Sequence, residues 1–145
     1  MTDLAVLHHI GIVTHRSRHD EVVTRLATTL AGAVEFEVED DPLDVAATWV
    51  SISPTLRFEV VSPRSAHDTP VTRFLAKTGG GLHHVSFGTE RLSVCKKLLA
   101  ARGATIIGEN DDHGGWAEFF IDPRETGGAL LHWMQDLRSP GVPRM

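Results

Sequence analysis

The chain has almost no sulfur chemistry to offer. Its single cysteine, Cys95, has no internal partner, so no disulfide framework holds the fold. Cys95 falls in an amphipathic helical stretch, where a buried thiol is expected rather than a nucleophile. Basic runs are missing as well: 14 Lys and Arg against 19 Asp and Glu leave a formal net charge of −5. Without a cationic stripe to neutralise phosphates, neither nucleic acid nor an anionic membrane surface is an expected partner. No apolar run approaches the roughly 20 residues that cross a bilayer. The opening "MTDLAVLHH" lacks the basic start and apolar core of a secretory signal, so a cytoplasmic protein is expected. Low-complexity sequence is absent, and only the stretch from Ser139 reads as irregular.

What the chain does have is 41% hydrophobic residues in 145, enough for one packed domain or two small modules sharing a core. It also has an unusual repeat. "LHHIGIV" (7–13) and "LHHVSFG" (82–88) each set two adjacent histidines into an apolar, strand-like run. Around them the order is the same twice over. A strand at 7–13 precedes a helix that begins near Ser17, carries Asp20 and Glu21 in its first turn and stops at Gly32. Strands follow near 33–38, 46–52 and 56–61, separated by turn residues. After the strand at 82–88 comes a helix from Glu90 to Arg102, then strands near 104–108, 115–121 and 128–134. The expected organisation is one domain over residues 1–145, with module one at 5–63 and module two at 82–136. A linker helix spans 69–78, with Thr69 as N-cap and Pro70 at its first position.

Strand alternation sorts the histidines. His9 shares a face with Gly11 and Val13, against Ile10 and Ile12; His84 shares one with Ser86 and Gly88, against Val85 and Phe87. In the last strands Glu59 opposes Phe58 and Val60, and His132 opposes Leu131 and Trp133. A carboxylate inside an apolar strand is costly unless it is paired, hydrogen-bonded or bound to a metal. His84 follows His9 by 75 residues and His132 follows Glu59 by 73, so four donors occupy two repeat-related pairs of positions. Imidazole with carboxylate suits Zn, Co, Ni, Mn or Fe, one ion per chain. His8 and His83 turn to the other face and read as packing residues. His15, His19 and His67 read as solvated.

Glu118, in "WAEFFID", faces the same side as Trp116 and Phe120, and desolvation beside aromatics would raise it towards the range of a general base. An exposed edge-strand glutamate is the equal alternative reading of it. His113, in "DDHGGW", is either a proton shuttle or a solvated loop histidine.

The segments "LHHIGIV", "FEVVSP", "TPVTRFLAKTGGGLHHVSF" and "FIDPRETGGALLHWMQ" resemble the motifs of methylmalonyl-CoA epimerases. Those enzymes belong to the vicinal oxygen chelate superfamily, which includes glyoxalase I and the extradiol dioxygenases. The resemblance implies an α+β fold of two βαβββ modules forming a cupped mixed sheet around one divalent metal. It implies ligand roles for His9, Glu59 and His84, a small-molecule substrate, and a homodimer. At the fourth position the family's "GGVLIEL" glutamate is replaced by His132, and the acidic loop residue before the third strand would be Asp41 or Asp44. Three imidazoles and one carboxylate would leave a divalent centre near +1, a better stabiliser of a developing enolate than a neutral one.

The activity so implied is epimerisation or isomerisation at a carbon next to a carbonyl, with Glu118, His113 and Asp44 as acid–base candidates. The substrate would be methylmalonyl-CoA or a hydroxyketone such as a keto-cyclitol or sugar. Arg64, Arg73 and Lys77 are too scattered to form an evident site for CoA phosphates. Two other readings stay open: an Fe(II) dioxygenase using His9, His84 and Glu59 as a facial triad, and a non-catalytic binding protein of the bleomycin-resistance type, which would share the fold but need no metal and leaves the four donors unexplained.

Overall fold

A computed structural model describes residues 4–138; the irregular stretch expected from Ser139 lies outside them. Among the described residues, eight strands and three α-helices make up an α+β fold. The described residues divide into two compact units, 9–83 and 84–138 together with 4–8.

In the first unit, strand β1 (Val6–Val13, from His9) leads into α1 (His19–Thr29). Strands β2 (Ala33–Asp40), β3 (Val45–Ser53) and β4 (Leu56–Pro63) then form an antiparallel meander, and α2 (Pro70–Thr78) follows. The strand order is β2-β3-β4-β1, with β1 parallel to β4. Antiparallel neighbours need only a short turn, whereas the parallel pair needs a long crossover, here supplied by everything from α1 to β3. Val23 of α1 packs on Val50 and Val60, which share one sheet face. On the other face Val13, Val45, Ala47 and Val61 pack under Val71 and Leu75 of α2. The α2 cap is the expected one: Thr69 accepts from the Thr72 backbone N–H, and Thr72 Oγ1 accepts from the Thr69 N–H. Gly79 closes the helix at φ 77°, a left-handed conformation that glycine adopts without strain.

The second unit repeats the plan with β5 (Gly81–Gly88, from His84), α3 (Leu92–Ala101), β6 (Ile106–Asn110), β7 (Trp116–Ile121) and β8 (Leu130–Asp136). Its order is β5-β8-β7-β6, with β5 parallel to β8 and the rest antiparallel. Cys95, Phe119 and Ile121 form its buried cluster with Leu92 and Leu99 of α3. The Cys95 thiol is enclosed, donating to the Leu4 carbonyl, as expected of a packing cysteine.

The duplication holds residue by residue. Gly11 pairs with Glu59 in the first unit, and Ser86 pairs with His132 in the second. These are the 75- and 73-residue offsets read from the sequence.

Candidate metal centre and acid–base residues

Each unit sets two of the expected donors side by side. In the first, His9 lies on the Gly11–Glu59 face of the β1/β4 pair, and its Nε2 is 3.3 Å from Glu59 Oε2. Two ligands each about 2.1 Å from a tetrahedral ion sit about 3.4 Å apart, so this spacing suits one shared cation. His9 is buried, and its ring meets Trp49 edge-on at 4.5 Å between centroids. Trp49 is the β3 partner of Glu59, and Phe36 stacks on it.

In the second unit, the His84 and His132 rings meet edge to face at 5.9 Å. Phe120 is the β7 partner of His132 and stacks on it at 4.5 Å, filling the register place that Trp49 holds in the first unit. Both His132 ring nitrogens are engaged: Nδ1 lies 2.5 Å from Ser86 Oγ and Nε2 lies 2.8 Å from Glu118 Oε2. The remaining Glu118 oxygen, Oε1, lies 2.9 Å from His113 Nδ1.

Glu118 thus takes the orientation expected of it, with Phe119 and Ile121 turned to the α3 side. It is no exposed strand glutamate, its side chain being only 15% accessible. Its titration differs from expectation. Burial is the largest influence and pushes the carboxyl up, but hydrogen bonds and positive charge from His132 and His113 outweigh it, and the net pKa lies below the ordinary glutamate value. His113 is not a solvated loop histidine either. Its loop doubles back through Gly114 and Gly115 at φ 63° and 96°, and the His113 backbone N–H donates to the Trp116 carbonyl. That turn lays the ring on Glu118.

Asp44 stands elsewhere in the first unit, at the β2–β3 turn, with φ 54°. Its carboxylate accepts from Ser65 and lies 3.3 Å from His67 Nδ1. Neither neighbour is one of the expected ligands. Asp41 and Glu39 both hold Arg64, and Asp68 holds Arg73.

His19, expected in solvent, is 3% exposed at the start of α1. Its Nδ1 lies 2.8 Å from Ser62 Oγ and its Nε2 lies 2.8 Å from Thr48 Oγ1. Burial, aided by Arg16, lowers its pKa. The signal was present in the strands: Thr48 and Ser62 sit on the helix-facing side among Val50 and Val60, and two hydroxyls there demand a polar partner. His8 and His83 pack against Trp116 and Phe74, as expected of packing residues.

The model of the glyoxalase/bleomycin resistance protein/dioxygenase superfamily matches residues 8–120. The chain belongs to that superfamily. Among curated relatives, it is 32% identical over 127 residues to the uncharacterized protein YqjC of Bacillus subtilis, covering 86% of this chain and 88% of that one. It is 27% identical over 109 residues to an ethylmalonyl-CoA/methylmalonyl-CoA epimerase of Cereibacter sphaeroides, covering 72% and 80%. Among solved structures, methylmalonyl-CoA epimerase from Mycobacterium tuberculosis aligns with a TM-score of 0.83 at 18% identity, over 98% of this chain and 94% of that one. A Streptomyces coelicolor methylmalonyl-CoA epimerase in complex with 2-nitronate-propionyl-CoA aligns at 0.81 and 22% identity, over 93% and 99%. The fold of this superfamily member is therefore that of the epimerase structures. Among its described residues, no helix is long and apolar enough to cross a membrane.

Proposed function

We propose that this chain is a metal-dependent epimerase or isomerase that moves a proton at a carbon next to a carbonyl. One observation carries the reading. The repeat places an imidazole two residues ahead of the Gly11–Glu59 pair and another two ahead of Ser86–His132, so that both units present equivalent donors. His9, Glu59, His84 and His132 are the residues we assign to one divalent ion, and three imidazoles with one carboxylate are a donor set for Zn, Co, Ni, Mn or Fe. Bound there, the ion would supply Lewis-acid stabilisation to an oxygen that gains negative charge.

The chain's own groups would handle the proton. Glu118 is the base we assign: His113 Nδ1 orients one of its oxygens and is positioned to pass a proton onward, while the contact with His132 Nε2 would open where that nitrogen holds the ion. Asp44, whose carboxyl meets Ser65 and His67, is the second acid–base group we assign, and in its protonated form it would return the proton. The substrate class is an acyl-CoA of the methylmalonyl type or a hydroxyketone. The engagement of Arg64 and Arg73 by surface carboxylates weighs against an extensive phosphate site.

The test is incubation of metal-loaded protein with a panel of both substrate classes in D₂O. Deuterium entering at the carbon next to the carbonyl, with no oxygen consumed, is the expected result. Stoichiometric oxygen uptake by iron-loaded protein would replace this reading with a dioxygenase.

A further inference from the structure

We infer that Ser86 is a positioning residue whose hydroxyl holds Nδ1 of His132, leaving Nε2 as the nitrogen offered to a metal. The inference rests on the metal reading above. Ser86 is fully buried, at 0% exposure, and pairs with His132 across the parallel β5/β8 ladder. Its Oγ lies 2.5 Å from His132 Nδ1. The order Ser86, His132, Glu118 has the outline of an acyl-transfer triad, but an enclosed hydroxyl cannot reach a substrate carbonyl. Its work must be done on the imidazole.

Nδ1 of His132 faces Ser86 Oγ, and Nε2 faces Glu118 Oε2. A metal ligand at Nε2 needs the ring hydrogen on Nδ1 and an acceptor facing it. The serine oxygen supplies that acceptor at a buried place, and alanine removes it.

The duplication supplies the contrast. The first unit's counterpart of Ser86 is Gly11, opposite Glu59. A carboxylate ligand has no second ring nitrogen to satisfy, and the partner position there carries no side chain. Serine with histidine and glycine with glutamate are therefore matched pairs. Ser86 answers a requirement that His132 alone creates.

The full chain, stripped of metal and titrated with Zn²⁺ against a chelator, tests this. Ser86→Ala should weaken zinc affinity by roughly 10- to 100-fold, the range for the hydrogen-bond partner of a metal-bound histidine. In a His132→Glu background the same change should cost nothing further. An equal loss in both backgrounds would assign Ser86 to general packing and overturn the inference, as would an unchanged affinity in the single variant. Should Ser86→Ala fail to fold, ¹⁵N spectra of the zinc-loaded native protein decide instead. A hydrogen on His132 Nδ1 supports the inference and a hydrogen on Nε2 ends it. His84→Ala is the control for the underlying reading: if zinc still binds it at full stoichiometry and affinity, the metal assignment has failed, whatever Ser86 does.

Discussion

His132 and Glu118 are joined through Nε2 and Oε2 at 2.8 Å, and the same carboxylate reaches His113 with its other oxygen. One acid is thereby held by two imidazoles. Glu118→Gln keeps the shape and removes the charge. Turnover of a substrate that exchanges its α-proton should fall by about 10²- to 10⁴-fold, the range for losing a general base. Single-turnover deuterium exchange measures it.

The same pair sets a pH dependence. Glu118 has a folded pKa below its unfolded value, so its ionisation stabilises the fold above the ordinary glutamate range. That contribution is lost as pH falls through the depressed value. Melting temperatures from pH 7 down to pH 3 should decline more steeply in the native protein than in Glu118→Gln. Identical slopes would show that the two imidazoles do not depress this carboxyl.

His9→Ala, Glu59→Ala and His84→Ala should each bring bound metal well below one equivalent per chain, read by mass spectrometry of the dialysed protein. They should also lower the melting temperature of metal-loaded samples. Binding confined to the native state adds about 2.7 kcal/mol at a hundredfold excess of ligand over its dissociation constant, and the variants forfeit that increment.

His132→Glu restores the glutamate of the epimerase-like motif. Metal should be retained, because a carboxylate replaces the imidazole as ligand, but the centre loses about one unit of positive charge. Turnover should drop by roughly ten- to a thousandfold, as when one electrostatic contact to the transition state is removed. His132→Ala should weaken metal binding itself. Unchanged metal affinity in the alanine variant would remove His132 from the shell.

His19→Ala leaves Thr48 and Ser62 without their shared partner and opens a void at the start of α1. A loss of about 1–3 kcal/mol is expected from the unsatisfied hydroxyls, measurable by urea unfolding. Because burial lowers the folded pKa of His19, the native protein should lose stability as pH drops below the unfolded histidine value of about 6.5. The variant should lose less.

Strand alternation, a property of the backbone period, and repeat offsets of 75 and 73 residues were enough to place His9, Glu59, His84 and His132 on equivalent ladder positions. The turn of Glu118 away from Phe119 and Ile121 was legible for the same reason. What alternation does not carry is the return of a loop. His113 reaches Glu118 only because two glycines fold the chain back at φ values that other residues avoid. That contact reverses the sign of the carboxyl's shift. His19 was obscured by its helix-edge position, because a helix start is commonly wet unless the sheet beneath it offers hydroxyls.

The parallel ladders carry one more consequence, for the order in which the chain assembles. Glu59 lies 48 residues beyond its partner Gly11, and His132 lies 46 beyond Ser86, whereas the strands of each three-strand meander are joined by much shorter connections. Distant pairings must meet the entropy of closing a long loop before they gain any contact. The meanders should therefore form first, and the ladders that align the donors should close last. A ligand engaging those donors then acts after the folding barrier, slowing escape from the native state while leaving the rate of reaching it nearly unchanged.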